Sequence, residues 1–139
     1  MSKVAIVYWS GTGNTAAMAA EVFAGAMGAG AEADLLECSA FSGSMVSDYD
    51  AIAFGCPAMG AEVLEESEFQ PMFDDCVPAL KGKKIALFGA YGWGDGEWMR
   101  DWESTCTGAG AVMAADPVIC VDPSEVSAEL AALGAAIAG

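Results

Sequence analysis

Between an apolar run and an alanine-rich run lies Tyr8-Trp9-Ser10-Gly11-Thr12-Gly13-Asn14-Thr15, a stretch crowded with small hydroxyl and amide groups and free of Lys and Arg. A turn from strand into helix presents unpaired backbone N–H groups and the positive end of a helix dipole, and the two together favour an anion. Gly11 and Gly13 let the backbone wrap closely. Ser10, Thr12, Asn14 and Thr15 add side-chain donors at nearly every step. This is chemistry for holding a phosphate by neutral hydrogen bonds.

Rival readings of the stretch fail. A nucleotide-hydrolysing P-loop requires G-x-x-x-x-G-K-[ST], and the lysine is missing. Gly11 to Ala16 does fit the dinucleotide fingerprint G-x-G-x-x-[GA], with Glu32, Asp34 and Glu37 near the spacing of a ribose-binding acid. Yet a chain of 139 residues has no room for a second nucleotide-binding half and a substrate domain. Cys56 does not start a phosphatase C-x5-R loop, because Glu62 occupies the arginine position.

Two other loops carry complementary chemistry. Pro57-Ala58-Met59-Gly60-Ala61-Glu62 combines an apolar side chain, a turn glycine and an acid. Ala90-Tyr91-Gly92-Trp93-Gly94-Asp95-Gly96 sets a tryptophan between glycines that give it nothing to pack on, as suits an aromatic covering a flat ligand. Phosphate in the first loop, an apolar face at Met59 and an aromatic face at Trp93 describe a ring-bearing mononucleotide. FMN fits this description.

The elements that must position these loops alternate between strand and helix. Val4–Tyr8 reads as strand one, and a helix follows from about Gly13 to the Gly28/Gly30 punctuation, with Met18, Val22, Phe23, Ala26 and Met27 on one face. Ala33–Leu36 is a weak second strand and Ser39–Ser47 a Ser/Gly-rich connection. Ala51–Gly55 is a buried third strand. A helix begins near Ser67 or Gln70, turning Phe69, Met72 or Phe73, and Cys76 inward. Lys83–Gly89 is the fourth strand, and the next helix carries Trp98, Trp102 and Thr105 or Cys106, with both tryptophans in the core.

A fifth strand is expected over Pro117–Val121, with Val112–Ala114 as an optional first half. The last helix opens on Asp122-Pro123-Ser124-Glu125, an N-cap, a proline at the first position and a capping-box acid, with Val126, Leu130, Leu133 and Ile137 as its core stripe. Such alternation predicts a single domain over residues 1–139, a doubly wound α/β sandwich on a five-stranded parallel sheet. Crossover handedness restricts the strand order without setting it. Ligands on such sheets bind outside the carboxyl ends of the strands. Loops 9–15, 56–62 and 90–96 follow strands one, three and four, so all three fall at that edge.

Composition narrows the partners. The formal net charge is −15, from 20 acidic and five basic residues. Such a surface repels nucleic acid and anionic membranes and suits a transient basic protein partner. After Lys3 only the short run Val4 to Trp9 is apolar, so no signal peptide is expected, and no stretch approaches the roughly 20 apolar residues of a membrane span. Five scattered cysteines, no C-x-x-C and no histidine argue against a redox dithiol or a zinc module and for buried thiols in a reducing cytoplasm. A receiver domain would need an acidic pair after strand one, which Tyr8-Trp9-Ser10 does not supply.

The segments "VYWSGTGNT" (7–15), "AMG-E-VLEESEF" (58–60 and 62–69) and "KKIALFGAYGWGDGEWMRDWE" (83–103) closely resemble the short-chain flavodoxins of the clostridial type. The similarity runs from Val4 to the final helix. It implies a flavodoxin-like fold with strand order 2-1-3-4-5, non-covalently bound FMN, and a monomeric low-potential one-electron carrier serving soluble redox enzymes rather than an enzyme. A small FMN-dependent quinone or NAD(P)H oxidoreductase is the alternative.

By the same resemblance, Ser10, Thr12, Asn14 and Thr15 with their backbone amides hold the phosphate, and Trp9 lies near the phosphate and ribityl end. Met59 and Trp93 flank the two faces of the flavin. Gly60 offers its carbonyl to the flavin N5–H of the semiquinone, and Glu62 binds N3–H. Three positions depart from the pattern: Pro57 and Ala90 stand where relatives often carry serine, and Ala61 replaces a common aspartate. Two neutral hydrogen bonds and one negative charge near the ring are thereby lost. The acidic run Glu65, Glu66 and Glu68 is expected to add to a field that lowers the potential, or to be a solvated helix start.

Overall fold

In the computed structural model, which describes residues 2–11, 13–59, 63–92, 94 and 96–139, a parallel sheet stands between two layers of helices. Its strands are β1 (Lys3–Tyr8), β2 (Glu32–Glu37), β3 (Ala51–Gly55), β4 (Lys84–Ala90), β5 (Val112–Met113) and β6 (Val118–Cys120). The helices are α1 (Asn14–Gly28), α2 (Phe69–Cys76), α3 (Glu97–Gly108) and α4 (Ser127–Ala138). The order across the sheet is β2-β1-β3-β4-β5, with β6 also pairing β4. The fifth strand is therefore split. Val112 and Met113 pair Lys84 and Ile85, whereas Val118, Ile119 and Cys120 pair Phe88, Gly89 and Ala90. Pro117, which has no N–H to give a ladder, stands just before the second piece.

Strand alternation sorts the side chains between the layers. Ala5, Val7, Ile52, Phe54, Ile85 and Leu87 join the core under α2 and α3. Val4, Ile6, Ala51, Ala53, Ala86 and Phe88 join the core under α1 and α4. Both faces are covered there, which is why the central strands β1, β3 and β4 read as apolar runs while the edge strand β2 does not.

α1 buries Thr15, Met18, Ala19, Val22 and Ala26. Met27, expected on this face, is 51% exposed. α4 approaches α1 at Gly25, and one step beyond Ala26 turns a side chain about 100° away. α2 buries both Met72 and Phe73 beside Phe69 and Cys76, and α3 buries Cys106 rather than Thr105 along with Trp98 and Trp102. The 39–47 connection forms two short 3-10 turns. Before α4 comes another, Pro123–Val126, and the Asp122 carboxylate accepts the N–H and hydroxyl of Ser124 at 3.0 and 2.9 Å. The anticipated N-cap thus caps this turn and not α4 itself. Leu130, Leu133 and Ile137 are buried as expected, with Val126 packed at their margin.

Candidate cofactor site

Backbone hydrogen bonds carry the sheet's order past the strand ends. The Trp9 N–H donates to the Gly55 carbonyl at 3.0 Å, Ala58 N–H to Ala90 at 3.0 Å and Tyr91 N–H to Cys120 at 2.9 Å. The loops after β1, β3 and β4 are thereby brought to one edge, around a cleft of about 520 Å³. Trp9, Gly11 and Asn14 line it from the first loop, and Pro57, Ala58 and Met59 from the second. Ala90, Tyr91 and Gly92 line it from the third. The size and mostly apolar lining are those of a small-molecule site.

The two glycines of the first loop serve different ends. Gly13, just ahead of α1, takes φ 96°, a left-handed conformation costly for other residues, and its N–H donates to Ser10 Oγ at 3.0 Å. Gly11 is fixed by space instead: a Cβ there would lie 2.9 Å from the Trp9 ring. Thr15, in the first turn of α1, is 2% exposed, and its Oγ1 has no partner among the described residues. A buried hydroxyl left unpaired costs about 1–3 kcal/mol. At a helix N-terminus, an anion's oxygen is the natural partner. The first loop therefore fits a phosphate, and the apolar cleft beside it fits a ring.

The second loop is braced from behind. Gly89 approaches Cys56 so closely that a Cβ would meet the Cys56 carbonyl at 2.2 Å, and Trp98 Nε1–H donates to the same carbonyl at 3.3 Å. Trp98 is core, as its spacing implied, yet it supports the site from below, with Tyr91 5.6 Å from its ring. Met59 and Val63 pair antiparallel through backbone bonds of 2.9 and 3.4 Å.

Glu65 overturns its reading as one member of a solvated acidic run. It is 6% exposed, and its carboxylate accepts the N–H groups of Ser67, Glu68 and Phe69 at 2.9, 2.7 and 2.9 Å and the Ser67 hydroxyl. Burial alone would push its pKa up, but these hydrogen bonds outweigh it and hold the group at about 2. Its charge is spent on the first turn of α2. Glu66 and Glu68 remain exposed.

Of the other sequence-based candidates, Ser10 faces an adjoining notch, and Gly94, at φ 90°, stands outside the cleft lining. Thr12, Gly60, Ala61, Glu62, Trp93 and Asp95 lie outside the described residues. Val121 was not anticipated. It lines the cleft at 56% exposure. It follows β6, so the rule that loops after strands build the site would have found it. Asp34, weighed above as a ribose ligand, accepts the Tyr49 hydroxyl at 2.7 Å instead. The five cysteines are free and buried, and burial pushes the Cys56 thiol up to about 12. Among the described residues no cluster could hold a metal ion, and no helix is long and apolar enough to cross a membrane.

The flavodoxin family model matches residues 6–133. The chain belongs to the flavodoxin family. It is 47% identical over 116 residues to the flavodoxin of Megasphaera elsdenii, covering 84% of this chain and 85% of that one. To the flavodoxin of Clostridium beijerinckii it is 43% identical over 134 residues, covering 96% and 97%. The solution structure of two-electron reduced Megasphaera elsdenii flavodoxin matches with a TM-score of 0.91 at 45% identity, over 97% of this chain and 98% of that one. A flavodoxin from the domain Archaea matches with a TM-score of 0.84 at 24% identity over 98% and 96%, a likeness of fold alone. Family membership makes FMN the cofactor and electron transfer to redox partner proteins the role, so the chain is not an enzyme. FMN supplies the redox chemistry; the flavodoxin chain supplies binding, orientation and electrostatics.

Proposed function

We propose that the chain is a single FMN-binding domain that carries electrons at low potential between cytoplasmic redox enzymes. The observation that supports the low potential is the placement of the lysines. Lys3 opens β1, Lys84 opens β4, and Lys81 and Lys83 lie in the turn just before it, all at the amino edge of the sheet. There Lys83 Nζ donates to the Tyr49 carbonyl at 2.6 Å and the Lys3 ammonium sits 5.1 Å over the Tyr49 ring. The cleft is at the carboxyl edge, so none of the four lysines offsets a phosphate there. Added negative charge on the flavin is disfavoured in such a field, and each tenfold shift in that equilibrium corresponds to about 1.4 kcal/mol.

In this reading Ser10, Thr12, Asn14 and Thr15, with the amides of Gly11 and Gly13, hold the phosphate. Met59 and Trp93 cover the ring faces, while Pro57, Ala58, Ala61, Ala90, Tyr91, Gly92, Gly94 and Asp95 shape the surrounding walls. Glu62 takes the ring edge and Gly60 turns its carbonyl toward the ring, where Ala would cost about 1 kcal/mol or more. The protein works as a monomer, and its net charge of −15 steers basic partners to the cleft. Five buried free thiols support a reducing compartment.

Potentiometry tests the electrostatic claim. The second electron should enter bound FMN at a potential well below that of free FMN, and Glu66→Gln with Glu68→Gln should raise it, as should added salt. A potential that moves with neither change would remove the electrostatic account while leaving FMN binding intact. A midpoint for the first electron that Gly60→Ala leaves unchanged would remove the role given to Gly60.

A further inference from the structure

Trp9 is a wall between two depressions. One is the cofactor cleft, and the other is a notch of about 230 Å³ that Ser10, Glu37, Ser39 and Glu68 help to line. Trp9 Nε1–H donates to Glu68 Oε1 at 3.1 Å. The opposite end of the same indole lies on Gly11, with Cη2 2.9 Å from where a Cβ would be. The ring is thus held by its N–H and seated on the phosphate loop by its far edge.

Glu68 is held in turn. Its N–H donates to the buried Glu65 carboxylate at 2.7 Å, and the Glu65 N–H donates to Cys56 Sγ at 3.4 Å. Cys56 leads directly into Pro57, Ala58 and Met59 of the second cleft loop. A run of contacts therefore joins the two loops, from Cys56 through Glu65, Glu68 and Trp9 to Gly11.

We propose that Glu68 is a positioning residue for FMN: its carboxylate fixes Trp9, and Trp9 fixes the phosphate loop against the second loop. This inference rests on FMN being the cofactor but not on the low potential. Glu68 carries two opposed effects. Its charge repels a bound phosphate, whereas its role as an acceptor organises the loop that binds it. The two predict opposite signs on mutation, which separates them.

The test is FMN release from the holoprotein on dilution, followed by flavin fluorescence. Glu68→Ala raises the dissociation constant about five- to tenfold, the size of one lost hydrogen bond. Glu68→Gln keeps an acceptor oxygen and loses the charge, so it binds FMN at least as tightly as the parent. Trp9→Phe loses the N–H and matches Glu68→Ala, and the double variant is no weaker than either single one. Riboflavin, which lacks the phosphate, binds Glu68→Ala and the parent alike, and the unfolding midpoint of the apoprotein is unchanged. The proposal is overturned if Ala and Gln shift affinity together, if the two single losses add, or if riboflavin binding or the unfolding midpoint falls in step with FMN.

Discussion

On one side of the sheet Phe54 meets Phe73 edge-on at 5.3 Å, and Phe73 in turn meets Phe69 and Trp102 at 6.3 and 5.7 Å. On the other side α1 and α4 touch backbone to backbone: a Cβ on Gly134 would lie 2.1 Å from the Val22 carbonyl, and one on Gly25 would lie 2.2 Å from that of Ala131. The strands follow this contrast only in part: Ala51, Ala53 and Ala86 face the glycine-bearing helices but so do Ile6 and Phe88, while Ile52, Phe54 and Leu87 face the aromatic ones along with Ala5. Where helix meets helix, one side is filled by bulk and is sensitive to lost atoms; the other is filled by closeness and is sensitive to gained ones. Among the described residues each layer also buries one polar side chain, Glu65 beside the aromatics and Thr15 in α1. Glu65 is satisfied by its own chain, and Thr15 finds no partner among the described residues. The first is architecture, and the second is the group that the proposed phosphate would engage.

The sharpest challenge to this contrast is Phe73→Ala, which should cost about 3–5 kcal/mol in denaturant unfolding, since the rings around it cannot close the cavity. Gly134→Ala should cost about 1–3 kcal/mol by the opposite cause, overlap with backbone that cannot rotate aside. If that substitution is neutral or stabilising, the two layers do not differ as described. Thr15→Val should weaken FMN about tenfold, roughly 1.4 kcal/mol, yet leave the apoprotein as stable or more so, because an unpaired hydroxyl gives way to a methyl. Equal losses in FMN affinity and apoprotein stability would make Thr15 as structural as Glu65.

A further effect is expected from pH. Glu65 has a folded pKa of about 2, below its ordinary 4.5, so its ionised form adds stability above about 4.5 that is lost as pH falls toward 2. The stability gap between the parent and Glu65→Gln at neutral pH should therefore close between pH 4.5 and 2. A gap as wide at pH 2 as at pH 7 would mean that the side chain, and not its charge, holds the turn.

The sequence made the centre of the sheet legible because both faces are covered and β1, β3 and β4 are apolar runs ending in glycine or a polar turn. Its strand order came from resemblance, since alternation alone leaves order free. Local pattern failed where a contact distant in sequence decides. Met27 falls outside the face that α4 covers, and the burial of Glu65 depends on the first turn of α2 folding back over it. In the site, the first loop announced itself by composition, whereas Val121 carries no chemistry in its side chain and enters by position alone. Gly11 was visible as a glycine, but its reason, the Trp9 ring, was not.

The split of the last strand has a consequence for the molecule among its own copies. A long, flat, uncovered strand at a sheet's margin can template another chain and start aggregation. Here one margin offers the two- and three-residue pieces β5 and β6 with Pro117 before the second, and the other, β2, carries Glu32, Asp34 and Glu37. A chain that is 55% hydrophobic can thus be crowded to high concentration with little tendency for neighbouring copies to extend one another's sheets.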